Sequence, residues 1–256
     1  METVLTSQQK TSPTSRSKNR FTAGFTYFDE PEYLERQLDV WQTWPDQIDI
    51  FLVDDGSEIF PAQEIIKDYK LPDSGPTLQL WKCTRNLGFN SHGCRNLIAH
   101  YAETDFVAFF DIDMLMYAPD IARLKTKVWE EGLIYYHNAY IKHVQQVWKE
   151  PGHRNCFAIG KETYWQAGGY DESFTGHHFG DKEFIDRIYE SGVKTAYTGT
   201  CIELMRGGRH GIVKGDEPKT KYIDEEIFYV PLRESEVRKL VGTVEQRLNF
   251  PFIKLL

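Results

Sequence analysis

The residues best placed to do chemistry are two aspartates one position apart, Asp111 and Asp113, which close the apolar run FVAFFDIDM at residues 106–114. A run of this length, rich in Phe and Val, predicts a buried strand of a parallel sheet. Along an extended chain, residues i and i+2 point to the same side. The spacing therefore predicts that both carboxylates project together from the strand's C-terminal end, the edge where ligands bind in open α/β sheets. Two like charges side by side repel unless a cation lies between them. Hard carboxylate oxygens suit Mg2+ or Mn2+. The competing reading is an acidic pair in an exposed turn with no chemistry, because short acidic motifs are common.

Other carboxylates fall at comparable places. Asp54 and Asp55 end the run IDIFLVDDGS, and Asp181 and Glu183 open GDKEFIDRIYESG. Asp171 and Glu172 follow a Gly-Gly pair and read as turn or capping groups.

The elements that must position these groups follow from periodicity. FTAGFTYF predicts a first strand beginning at Phe21. DEPEYLERQLDVW predicts a helix with Leu34, Leu38 and Trp41 on one face, Pro31 in the first turn, and Asp29 capping it with Glu32 three residues on. IDIFLVDDGS is the second strand, and strand–helix–strand implies a parallel crossover. PAQEIIKDY predicts a short helix, TLQLWKCT a third strand, and the end of RNLGFNSHGCRNLIAHYAE a helix before the FVAFFDID strand. The second half is less regular. A helix is predicted over 121–129, strands or a hairpin in GLIYYHNAYI and VQQVWK, and a strand, helix and Gly-Gly turn in CFAIGKETYWQAGGYDESF. GDKEFIDRIYESG predicts a helix ending at Gly192, followed by the strand VKTAYTG. Residues 206–219 read as a basic, Gly-rich loop, and 234–248 as an amphipathic helix. Residues 1–20 read as a disordered tail.

Bulk properties narrow the class. The 256 residues carry 41% hydrophobic and 14% aromatic side chains, enough for a sizeable core. A net charge of −8 argues against a general nucleic-acid binder. Cys83, Cys94, Cys156 and Cys201 contain no CxxC spacing, which speaks against zinc ribbons and redox motifs and suits a reducing compartment. With no long apolar run and no signal-type segment, the expectation is a cytoplasmic protein with no transmembrane segment, peripheral membrane contact being left open. GxGxxG, Walker A, GxSxG and HExxH patterns are absent.

Taken in order, TYFDEPEYLERQL, VDDGS, NLGFNSHGCRN, FFDID, and GGYDESF with GDKEFIDRIYESG resemble the inverting family 2 glycosyltransferases of the GT-A fold. There the corresponding pieces are a Thr-Tyr-Asn turn, a nucleotide-binding acidic turn, an Asn-x-Gly…Arg-Asn segment, a DxD motif, and Gly-Gly-Phe-Asp-Glu before a Glu-Asp helix. The resemblance implies one α/β domain over 21–256, built on a single Rossmann-like, mostly parallel sheet flanked by helices. Its halves would be 21–115 for the nucleotide sugar and an irregular 116–232 for the acceptor, with a C-terminal helix at 233–256. It implies metal-dependent transfer from a nucleotide-diphosphate sugar, a UDP-sugar in the first instance, to a saccharide or glycoconjugate acceptor, of hexosyl or N-acetylhexosaminyl type. Mn2+ or Mg2+ would be held by Asp111, Asp113 and His210. Thr26, Tyr27, Asp54, Asp55, Arg95 and Asp111 would meet the nucleotide sugar, with Asp54 or Asp55 at the base or ribose. Asp181 would be the general base. His177, His178 and Glu183 would stand on the acceptor side, and Arg206 and Arg209 could close as a lid. Two departures stand out: Phe28 replaces the usual Asn, and Gly180 replaces the first carboxylate of the Glu-Asp pair. Rival readings are a sugar-nucleotide nucleotidyltransferase, which would need a Gly-rich loop after the first strand, and a non-catalytic nucleotide-sugar-binding relative, which should have lost the acidic residues.

Overall fold

The computed structural model describes residues 20–141, 146–148, 155–176, 180–205 and 247–256. The first half alternates strand and helix: β1 (Phe21–Tyr27), α1 (Pro31–Trp41), β2 (Ile48–Asp54), α2 (Ala62–Ile66), β3 (Thr77–Cys83), α3 (Ser91–Tyr101) and β4 (Phe106–Asp111). The second half comprises β5 (Met114–Leu115), α4 (Ala118–Lys125), β6 (Leu133–Ile141), β7 (Gln146–Trp148), β8 (Phe157–Gly160), α5 (Lys161–Gln166), α6 (Gly180–Glu190), β9 (Lys194–Leu204) and β10 (Phe252–Lys254). One sheet runs in the order β10-β3-β2-β1-β4-β8-β6-β9-β5, with β7 hydrogen-bonded to β6.

The apolar runs explain the sheet's centre. β3, β2, β1 and β4 pair in parallel, and every residue of β2 is buried, as a strand covered on both faces requires. Alternation then divides the core. Ile50, Leu52, Ala108 and Phe110 face one layer with residues of α1, α2 and α4. Phe51, Val53, Val107 and Phe109 face the other with residues of α3, α5 and α6. By the same alternation Asp111 falls on the α3 side of β4. The outer strands are mixed: β6 runs parallel to β9 and antiparallel to β7 and β8.

Several expectations are corrected. Asp29 does not cap α1. The residue preceding that helix is Glu30, and Asp29 sits at φ 42° with its carboxylate accepting from the backbone N–H groups of Ile59 (3.0 Å) and Phe60 (2.7 Å). Its carboxylate also accepts from the Glu58 N–H at 3.3 Å, so Asp29 serves the turn beyond β2 rather than the start of α1. The helix predicted over 121–129 starts earlier, with Pro119 in its first turn, and stops before Trp129. β9 runs on to Leu204. Phe252–Lys254, placed in a C-terminal helix by sequence, forms an edge strand antiparallel to β3. The rest of that helix, the basic loop and residues 1–19 lie outside the described residues. Arg20, at the end of the predicted tail, pairs with Asp49. Among the described residues no helix is long and apolar enough to cross a membrane.

Gly24 sets how closely α3 approaches the sheet. A Cβ there would lie 2.7 Å from Ile98 Cγ2 in α3, inside any real contact distance. Gly24→Ala should therefore lower stability by about 1–3 kcal/mol through overpacking, measured as a fall in the urea midpoint with an unchanged slope.

Candidate active site

The C-terminal edge of the sheet gathers the candidate groups. The register aligns Thr26 with Asp111 across β1 and β4. Asp111 meets a guanidinium from α3: Arg95 Nη2 donates to its Oδ1 at 2.6 Å. Arg95 Nη1 donates to Asp181 Oδ1 at 3.1 Å and to the Tyr170 hydroxyl at 2.7 Å. The Tyr170 hydroxyl in turn donates to Asp181 Oδ1 at 3.0 Å. Arg95 is 1% exposed, whereas the side chains of Asp111 and Asp181 are 25% and 16% exposed, so the cluster turns its anions outward. Burial opposes the guanidinium's charge, but the carboxylates of Asp181 and Asp111 outweigh it and hold Arg95 protonated. Burial keeps the Tyr170 phenol protonated, so it can donate.

β4 ends at Asp111 and the next two residues form a turn, so strand alternation does not govern where Asp113 points. Asp113 lies near enough to the Tyr33 hydroxyl of α1 and to the buried Cys156 thiol to act on both, and Cys156 also feels Asp111. Burial, and after it the charge of Asp113, pushes the Tyr33 hydroxyl up. The turn itself is pinned. Gln37 Nε2, fully buried in α1, donates to the carbonyls of Ile112 (2.9 Å) and Met114 (2.6 Å). The Met205 N–H donates to the Asp113 carbonyl at 2.9 Å. Sequence reasoning missed Gln37. Its signal was a polar residue inside the Leu34–Leu38–Trp41 stripe, where only a partnered amide is tolerated.

The other candidates make structural bonds of their own. Arg95, expected at the nucleotide, lies beneath two carboxylates. Asp54 and Asp55, expected at the base or ribose, build turns. Asp54 accepts from the N–H groups of Ser57 (2.7 Å) and Ala62 (2.9 Å), and Asp55 from that of Asn90 (2.7 Å). Tyr27 is buried, and its hydroxyl donates to the Phe60 carbonyl at 2.6 Å. Thr26 is half-buried at the edge. Glu183 is committed to Arg187, which also bonds the carbonyls of Ala167 and Gly169 and so ties α6 to the Gly-Gly turn. Asp171 caps its own turn through the Ser173 N–H, as read from sequence. Asn96 is fully buried and spans α3 to the same loop through the Tyr170 N–H and carbonyl and through Glu172. Gly180 lacks a side chain where the His92 ring lies: a Cβ there would be 2.4 Å from His92 Nε2. His177, His178, His210, Arg206 and Arg209 lie outside the described residues.

The sequence matches glycosyl transferase family 2 over residues 24–184, more than half of the chain. The chain belongs to that family. No curated protein matches it. Among solved structures it is similar to the mannosyltransferase PcManGT from Pyrobaculum calidifontis in complex with GDP-Man and Mn2+, at 16% identity and TM-score 0.57, over 75% of this chain and 58% of that one. It is also similar to S. aureus TarS, at 14% identity and TM-score 0.53, over 73% of this chain and 37% of that one. A third is GalNAc-T7 with UDP, GalNAc and Mn2+, at 12% identity and TM-score 0.51, over 73% and 44%. These likenesses establish the GT-A fold. The chain spans less than two-thirds of each of those proteins.

Asp55 gives a pH prediction. Burial, opposed by the Asn90 N–H, pushes its carboxyl from 3.8 up to about 8. The folded chain therefore keeps a proton that the unfolded chain has released, so stability falls as pH rises from about 4 to about 8. Asp55→Asn should flatten that decline by about 1.4 kcal/mol per pH unit, read from urea unfolding at pH 5 and pH 8.

Proposed function

We propose that this family 2 chain transfers a sugar from a nucleotide-diphosphate sugar to an acceptor hydroxyl with inversion, with Asp181 as the general base. The observation that carries the reading is the arrangement around Arg95. One buried cation holds a carboxylate at the end of a central strand and another at the start of α6. The first suits the donor side and the second the acceptor side. Asp181 Oδ1 is engaged by two donors, and Oδ2 has no hydrogen-bond partner among the described residues. A carboxylate so held can take a proton from an acceptor hydroxyl at Oδ2.

Mn2+ or Mg2+ fits the donor chemistry of Asp111 and Asp113, hard and partly exposed carboxylates on a turn fixed by Gln37. His210 is the third ligand proposed. Bound there, the metal supplies Lewis-acid neutralisation of the departing nucleoside diphosphate. Thr26, beside Asp111, is proposed to line the donor. A UDP-sugar with a hexosyl or N-acetylhexosaminyl group is the donor class proposed. Similar structures hold GDP-Man in one case and UDP with GalNAc in another, both with Mn2+. A saccharide or glycoconjugate supplies the acceptor hydroxyl.

Thermal shift with UDP- and GDP-sugars, with and without Mn2+, tests the reading. Metal-dependent stabilisation by at least one donor, followed by nucleoside diphosphate release, is expected; no stabilisation and no release with any donor would sink it. Asp113→Ala should abolish the Mn2+-dependent shift. Asp181→Asn should keep the shift and lower turnover by about 10²–10⁴-fold, the usual contribution of a positioned base.

A further inference from the structure

One atom of the cluster has no assigned role in that reaction. Position 170 is Tyr where the resembled motif carries Phe. A Phe would fill nearly the same volume, so what the Tyr adds is a hydroxyl. That hydroxyl accepts from Arg95 Nη1 at 2.7 Å and donates to Asp181 Oδ1 at 3.0 Å, while Arg95 Nη1 reaches the same Oδ1 at 3.1 Å. The three groups close a triangle.

The ring that carries the hydroxyl cannot drift. Tyr170 is 0% exposed and stacks on Phe184 of α6, with centroids 4.3 Å apart and planes 17° apart. Its backbone N–H and carbonyl are both bonded by Asn96 of α3, at 2.8 and 2.9 Å. The hydroxyl is thus fixed from α3 and α6 together.

We propose that Tyr170 is a positioning residue for Asp181. Its hydroxyl locks Oδ1 so that Oδ2 is the oxygen presented to the acceptor; this rests on the reading of Asp181 as the base. The terminal torsion of a carboxylate is broad and roughly two-fold. A single donor leaves it able to swing, whereas two donors converging on one oxygen fix it. A donor to a carboxylate also weakens it as a base. Removing the hydroxyl therefore strengthens the base and loosens it at once. Misalignment of about 1 Å can cost about 100-fold in rate, so the loss of alignment wins.

The test compares wild type, Tyr170→Phe and Asp181→Asn, using nucleoside diphosphate release from UDP-glucose, UDP-GlcNAc, UDP-GalNAc and GDP-mannose with Mn2+, together with crystal structures. Tyr170→Phe should lower kcat by about 10- to 100-fold with donor KM close to wild type, and its crystals should show the Asp181 carboxylate turned or in two orientations. An unchanged or higher kcat overturns the proposal, as does a kcat loss matched by a parallel loss in donor binding. Wild-type kcat in Tyr170→Phe beside an inactive Asp181→Asn sinks this inference alone; an active Asp181→Asn sinks the base assignment beneath it. If no donor turns over, the carboxylate's orientation in the variant crystal decides. Unmoved, it overturns the positioning role; turned or split, it supports it.

Discussion

The buried guanidinium of Arg95 is the constraint on which the rest of the site depends. Removing a full charge from water costs several kcal/mol unless its partners are well placed. Here the partners arrive from distant parts of the chain: Asp111 from β4, Asp181 from α6 and Tyr170 from the loop after α5. None is a sequence neighbour of Arg95. The cation is satisfied only when α3 packs against β1, β4 ends where it does and α6 docks over the same face. Breaking such a pair from one side costs about 3–5 kcal/mol.

Around this centre the buried polar side chains act on backbone. Gln37 holds the carbonyls on either side of Asp113, Asn96 holds both backbone groups of Tyr170, and Arg187 holds the carbonyls of the Gly-Gly turn. Each lies on a helix and reaches to an irregular segment. Buried networks of this kind are unforgiving, since an unmet polar group in low dielectric is costly, and for the same reason they select one conformation. The irregular segments that carry Asp113 and Tyr170 borrow the rigidity of the regular elements beside them.

The sequence made the parallel core legible because β1, β2 and β4 are buried on both faces, and uninterrupted apolar runs have few other uses. The division of the core by strand alternation was legible too, and it places Asp111 toward α3. What period two could not show was where the strand stops. Asp113 escapes the alternation because the chain turns immediately after Asp111. The role of Arg95 was hidden for a related reason: an arginine at the head of a helix reads as a surface group until the strand and helix that bury it are known. Asp29 was misread because its donors lie about thirty positions on, in the turn beyond β2. Gln37 left a visible trace, a polar residue in an apolar stripe, and the trace lacked only its partner.

Charge balance follows from the same geometry. Arg95 offers one positive charge to Asp111 and Asp181, and Asp113 lies in the adjoining turn. With all three carboxylates ionised, the group carries two uncompensated negative charges. A nucleoside diphosphate would meet repulsion at such an edge, and the repulsion is poorly screened where the groups are partly buried. A second arginine would lift it but would add a bulky, fixed fork. On the proposed reading, a divalent cation would restore neutrality with one small ion. Arg95 already pairs with two anions, so on the proposed reading the charge that offsets a diphosphate would come from another group, such as a divalent cation.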